Sequence, residues 1–195
     1  MKILIACEES QAMCLAFRDA GHEAYSCDIL DCSGSYPEWH IKGDAIKEAY
    51  SGKYDMMIAH PPCTYTSNAG ARFLYPKGIL NKDRLEKGMK GRDFFMELWN
   101  APIDKIVIEN PISSKIFNMP KHTQQIQPFM FGEPVQKKTR LWIKGLSLLQ
   151  STNIVEPLQS CHNAHTWFSK GGKERQKNRS KTFPGIAKAM AKQWG

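Results

Sequence analysis

The chain of 195 residues carries 27 Lys and Arg against 19 Asp and Glu, a formal net charge of +8. That length suits one domain with a substantial core, and the positive excess points to an anionic partner, nucleic acid ahead of a membrane surface. No run of about 18 apolar residues is present, so no membrane-spanning helix is expected, and Glu8 and Glu9 interrupt the first apolar segment where a secretory leader would need continuity.

Met1 to Ala6 reads as a first strand centred on Lys2-Ile3-Leu4-Ile5. The polar turn Cys7-Glu8-Glu9-Ser10-Gln11 then leads into a helix with Met13, Cys14 and Phe17 on one side, ended by a left-handed Gly21. Ala24 to Cys27 forms a second strand, closed by Asp28. Strand, helix, strand and acid in this order is the layout of a Rossmann-like nucleoside-binding half, although the glycine-rich loop is missing between Ala6 and Gln11. Asp28 is placed to accept hydrogen bonds from ribose hydroxyls; a plain strand-end turn residue is the alternative. From Asp31 to Gly52 the chain reads as loop-rich, and Asp44 there offers either a polar contact to a cofactor or a helix N-cap.

Met56 to Ala59 is an apolar run with the length of a buried strand, and Pro61 and Pro62 stop it. Cys63 is thereby held just past the strand's C-terminal end, where open α/β sheets bind their ligands. Its thiol is either a nucleophile or a small apolar residue. Residues 68 to 82 read as a mobile surface loop. Lys82 to Trp99 turns helical, with Leu85, Met89, Phe94 and Leu98 as its apolar stripe. Lys105 to Ile108 is a further strand with Glu109 at its end, which in a parallel sheet shares an edge with Cys63. Past a turn at 131–134, Gln136-Lys137-Lys138-Thr139-Arg140 runs into an apolar strand, and in extended chain Lys138 and Arg140 share a face.

Between Lys170 and Lys181 lies a run with Lys173, Arg175, Lys177 and Arg179, a lone Glu174 and no apolar residue, read as a phosphate-binding arm or a solvated loop. Cys161, His162 and His165 supply at most three ligands, too few for a structural zinc, so no metal is expected. The six cysteines form no paired framework and fit a reduced cytoplasm. Ile186, Ala189, Met190 and Trp194 fall at helical spacing in a closing helix over about 184–194.

Asp55 to Ser67, with Pro62-Cys63 at its heart, resembles the catalytic motif of DNA cytosine-5 methyltransferases. Glu109-Asn110 is similar to that family's Glu-Asn-Val motif with Pro111 in place of valine, and Gln136 to Arg140 to its Gln-x-Arg-x-Arg motif with Lys138 for the first arginine. Thr182 to Ala187 stands where the family has its final helix. The resemblance implies an α/β fold, a Rossmann-like mostly parallel sheet with helices on both faces, as a single domain over 1–195. It implies S-adenosylmethionine held near Ala6, Cys7, Glu8, Asp28, Ile29, Asp44, Ala45 and Pro61. Cys63, Glu109 and Arg140 become the catalytic residues, and Ser67, Gln136, Lys138 and the basic run become contacts to DNA.

The segment between the basic strand and the last helix is a reduced recognition segment, about 146–181, too short for a core of its own. Low sequence specificity, or recognition supplied by a second subunit or accessory protein, is the consequence, and short forms of this kind belong with phage genomes and a host cytoplasm. Two other readings stay open. His60-Pro61-Pro62-Cys63 also resembles the Asp-Pro-Pro-Tyr motif of amino-group methyltransferases, and the scaffold suits a catalytically silent DNA-binding protein. RNA or a free nucleotide is the other substrate class.

Overall fold

The computed structural model describes residues 1–160 and 182–195. Its sheet grows from three strands with apolar centres: β1 (Lys2–Ala6), β4 (Met56–Ala59) and β5 (Lys105–Asn110) lie side by side and parallel. Continuous apolar runs are what a strand covered on both faces requires. All four residues of β4 are fully buried.

β2 (Glu23–Asp28) and β3 (His40–Lys42) extend the parallel sheet beyond β1. On the other side, β8 (Thr139–Lys144) runs antiparallel to β5, and β6 (Gln124–Ile126) pairs with β8 at the edge. Among the described residues this makes one seven-stranded sheet in the order β3-β2-β1-β4-β5-β8-β6. The chain is an α/β fold with a mostly parallel sheet.

Alternation along each strand divides the core. Ile3, Ile5, Met56, Ile58 and Val107 pack against α1 (Ala12–Asp19) and α4 (Pro184–Trp194). Leu4, Ala6, Met57, Ala59, Ile106 and Ile108 pack against α2 (Ala45–Ala49) and α3 (Lys82–Trp99). Helices therefore cover both faces. In α4, Ile186, Ala189, Met190 and Trp194 are all buried, and Trp194 Nε1 donates to the Ser147 carbonyl at 3.1 Å.

Several expectations need correction. The loop-rich stretch 31–52 also holds β3 and α2, which the sequence did not resolve; each is short, and β3 contributes a single apolar residue to read. The stretch 68–82 holds two short 3-10 turns, Asn68–Phe73 and Pro76–Gly78, pinned by Leu74, which is buried. In α3 the buried line is Gly88, Phe95 and Leu98, while Met89 is exposed and Phe94 only half-buried. The spacing of seven and then three is helical; Phe95 and Gly88 were both missed, and the lack of a side chain at Gly88 lets the Phe117 ring lie directly against α3.

The basic segment is not one strand either. Val135–Gln136 is a short strand, β7, pairing in parallel with β9 (Gln159–Ser160) in a separate two-stranded sheet. Lys137 and Lys138 form the crossing to β8.

Candidate active site

Successive strands are added outward from β1 to β3, and the order then turns back to place β4 on the other side of β1; open α/β sheets place ligands outside the carboxyl ends of the strands at such a point. Ala6 is in register with Cys27 on one side and with Ala59 on the other, and Ala59 with Ile108. The next residue along each strand is therefore Cys7, Asp28, His60 and Glu109, in a row on one edge. His60 N still donates to the Ala6 carbonyl at 2.9 Å.

The β1 end turns without glycine. Cys7 and Gln11 take left-handed φ of 60° and 62°, uncommon for residues with a Cβ. Gln11 is held there by its own side chain, which donates to the Tyr36 carbonyl at 2.7 Å and accepts from Tyr36 N at 3.0 Å. A Cβ at Gly34 would collide with that side chain, so Gly34 is what lets the 31–39 segment close over it.

Glu8 caps α1 from this turn. Its carboxylate accepts from Met13 N at 2.7 Å and Cys14 N at 3.1 Å, satisfying two amides at the positive end of the helix. Burial pushes the Glu8 carboxyl upward, and the charge of His60 and the two amide bonds oppose that rise. Glu8 thus faces α1 and His60.

Asp28 accepts from Leu30 N at 2.9 Å through one oxygen, and Ile29 beside it is exposed. Asp44 caps α2 by accepting from Ile46 N at 2.9 Å, and Ala45 is buried behind it. The Cys7 thiol is pushed strongly upward by burial and by the nearby negative charges of Asp28 and Asp44. Those two carboxylates therefore converge at the mouth of β1. Pro61 is buried.

Cys63 sits on a loop bound to its neighbours at several points. Its carbonyl accepts from Ser67 N at 2.9 Å. Ser114 N donates to the Thr66 carbonyl at 2.8 Å, Asn68 N to the Ile112 carbonyl at 2.7 Å, and Asn110 Nδ2 to the Pro61 carbonyl at 3.4 Å. The loop after β4 is thereby laced to the loop after β5. Arg84, from α3, braces the outside: Nη2 donates to the Thr64 carbonyl at 2.9 Å, and its guanidinium lies 5.0 Å from the Tyr65 ring centre and 5.3 Å from that of Phe73. Ser67 is buried, in a backbone bridge to Ser113.

Glu109 lies beside this loop and is joined to it by His60, whose Nδ1 is 3.0 Å from Glu109 Oε2. Burial alone would raise the Glu109 carboxyl, but the His60 hydrogen bond and the charges of Lys137 and His60 outweigh it and hold it below the usual range. Burial alone would lower His60; the Glu109 hydrogen bond and the charges of Glu109 and Glu8 outweigh it and raise the imidazole. The two shifts describe one ion pair.

Arg140 stands opposite Asn110 in the β5–β8 ladder, on the same sheet edge. It is half-buried; Nη1 is 3.2 Å from His122 Nδ1, and Nε is buried with no hydrogen-bond partner among the described residues. Gln136 and Lys138 are exposed. Lys173, Arg175, Lys177 and Arg179, with Cys161, His162 and His165, lie outside the described residues. Among the described residues no group of three or more His, Cys, Asp or Glu side chains could hold a metal ion, and no helix is long and apolar enough to cross a membrane.

The structure thus brings Cys63, Glu109 and Arg140 to one edge and gathers Ala6, Cys7, Asp28 and Asp44 beside them. Sequence reasoning passed over His60 and Lys137. The signal for His60 was its position, a titratable ring directly after a fully buried strand. For Lys137 there was none, because its place depends on the break between β7 and β8.

No protein-family model matches the chain, and no curated protein matches it. Among solved structures it is similar to a DNA modification methyltransferase encoded within a prophage (E. coli), at 14% identity and a TM-score of 0.45, over 80% of this chain and 52% of that one. It is also similar to a substituted form of Spodoptera frugiperda DNMT2, at 15% identity and a TM-score of 0.37, over 80% of this chain and 55% of that one. The chain spans about half the length of each of these structures.

Proposed function

We propose that the chain is a DNA cytosine-5 methyltransferase that attacks a flipped-out cytosine through Cys63. The observation that carries the reading is the pairing of two loops: Cys63 and Glu109 follow adjacent parallel strands, and Asn110 to Pro61, Ser114 to Thr66 and Asn68 to Ile112 tie the two loops together. A nucleophile and an acid fixed to each other in this way suit an addition reaction at a ring.

The donor set at the β1, β2 and β3 ends fits S-adenosylmethionine. Two carboxylates, Asp28 and Asp44, suit ribose hydroxyls and a cationic ligand, and exposed Ile29 offers an apolar wall for a base. When bound, that cofactor supplies an electrophilic methyl group. The protein's task is to make cytosine carbon 5 nucleophilic enough to take it. Addition of the Cys63 thiolate to carbon 6 shifts the ring electrons toward nitrogen 3 and the carbonyl oxygen and leaves an enamine-like carbon 5. Glu109 serves nitrogen 3 and Arg140 the oxygen. Loss of the carbon 5 proton then expels the thiolate. The base must leave the stack for this to happen, and the lysines and arginines at 173–179 supply phosphate contacts.

The direct test is nucleoside analysis of cytosine-containing DNA incubated with the protein and S-adenosylmethionine. 5-Methylcytosine is expected; a product methylated on an exocyclic amine would assign the chain to the amino-group class, and none at all would leave a silent binding scaffold.

The cofactor half of the site has its own test. Asp28→Ala deletes one or two charge-assisted hydrogen bonds of about 1.5–3 kcal/mol each, so S-adenosylmethionine affinity should fall roughly 10- to 100-fold or more. Calorimetry reads this directly, and unchanged affinity in a folded variant would remove Asp28 from the pocket.

A further inference from the structure

The chemistry proposed above, on which this inference rests, needs a proton at cytosine nitrogen 3 at the moment the thiolate adds. Glu109 cannot be its source alone, because a carboxyl facing a partner cation is ionised before the reaction begins. The nearest proton is on His60. Its Nδ1 is 3.0 Å from Glu109 Oε2, and both side chains are nearly enclosed, with 12% and 14% exposure. Its Nε2 is buried and meets no hydrogen-bond partner among the described residues. The charged groups bearing on the imidazole come from three elements: Glu109 at the end of β5, Glu8 in the turn after β1, and Lys137 before β8. Two anions against one cation favour the imidazolium.

We propose that His60 is the proton store of the site, a positioning residue that acts on the base through Glu109. The imidazolium holds Glu109 by one oxygen and fixes the carboxylate's orientation. As the S–C6 bond forms, the Nδ1–H bond breaks and an O–H bond forms on Glu109. That O–H bond then breaks as N3–H forms, so the electron pair arriving on nitrogen 3 is taken up by a proton. After the carbon 5 proton leaves to solvent and the C6–S bond breaks, nitrogen 3 returns its proton by the same route. The pair ends as it began, with no other reactant required.

The test uses the full chain, cytosine-containing DNA and S-adenosylmethionine, reading the single-turnover rate of 5-methylcytosine formation against pH. The wild type should give a bell: the rise reports the thiolate of Cys63 and the fall reports loss of the His60 proton. In His60→Gln the amide still donates a hydrogen bond to Glu109 but has no proton to give. Its rate should drop about 100-fold or more with KM for DNA changed less than about threefold, and the alkaline fall should vanish. Glu109→Gln should be as slow, and adding His60→Gln to it should cost nothing further, since both remove one relay.

Two results would overturn the proposal: a wild-type profile that climbs to a plateau with no alkaline fall, which needs no variant to observe, or a folded His60→Gln within threefold of wild type. A wild type that methylates carbon 5 but fails these tests sinks the relay alone. A wild type that makes no 5-methylcytosine sinks the reading beneath it.

Discussion

Cys63→Ser is expected to lose at least about 10³-fold in methyl transfer and all covalent capture of the target base, because a serine hydroxyl supplies almost no anion at neutral pH. The informative substrate is DNA carrying 5-fluorocytosine. Methyl transfer to it proceeds, but fluorine cannot depart as a proton would, so the thiolate is never expelled. Wild-type protein, methyl group and DNA should then migrate together on a denaturing gel. Cys32→Ser and Cys161→Ser should still give the linked species. The result that would defeat the assignment is methylation at carbon 5 by folded Cys63→Ser. The backbone at 63 is fixed by the Ser67 amide, and its loop by bonds to the β5 loop, none of which uses the sulfur.

The second large effect concerns stability. Glu109 is held below its ordinary range, so its contribution is present above its unfolded value and lost as pH falls through the folded one. His60 is raised, so its contribution is present below its unfolded value and lost as pH rises through the folded one. With unfolded values of about 4.3 and 6.5, the pair stabilises most between about pH 4.5 and 6.5. Glu8, also raised, adds to the loss on the alkaline side. Thermal unfolding should therefore show a maximum on the acid side of neutrality. His60→Ala removes the hydrogen-bonded partner of the buried Glu109 carboxylate and leaves only the charge of Lys137 beside it, at a cost of about 3 kcal/mol or roughly 6–12 °C near pH 6. A variant that keeps both the wild-type midpoint and the wild-type pH dependence would mean the pair is not formed.

How much of this was legible from the residues follows from how local each signal is. β4 and β5 announced themselves because a strand buried on both faces is written in consecutive apolar residues, and α4 because its apolar positions recur at helical spacing. β3 and β6 did not: His40-Ile41-Lys42 and Gln124-Gln125-Ile126 sit at the two edges of the sheet, each with one apolar residue, and only pairing with β2 and β8 makes them strands. The break at Lys137 is invisible for the same reason, since β7 is defined by β9 and not by its own two residues. In the site, the positions of Cys63 and Glu109 were readable as strand ends. Their coupling was not. His60 and Glu109 are separated by 49 residues, and their contact exists only because β4 and β5 are neighbours. The resemblance placed Glu8 beside the cofactor; what no local pattern showed is that its carboxylate is engaged by the amides of α1.

The placement of α4 has a consequence for the order in which a ribosome can deliver a working molecule. Ile3, Ile5, Met13 and Phe17 are made well before Ile186, Met190 and Trp194, with which they share a cluster. Until that helix emerges, the part of this face that α1 does not cover stays exposed and adhesive, a state in which chains aggregate or recruit chaperones. The helix does not arrive alone. Gly185 N donates to Glu133 at 2.5 Å, and Lys137 Nζ lies 5.5 Å from the Phe183 ring centre, so the segment that carries Lys137 toward Glu109 is seated against the same terminus. Completion of this face and placement of Lys137 toward Glu109 thus fall to one late docking event, and a polypeptide released before it would have neither.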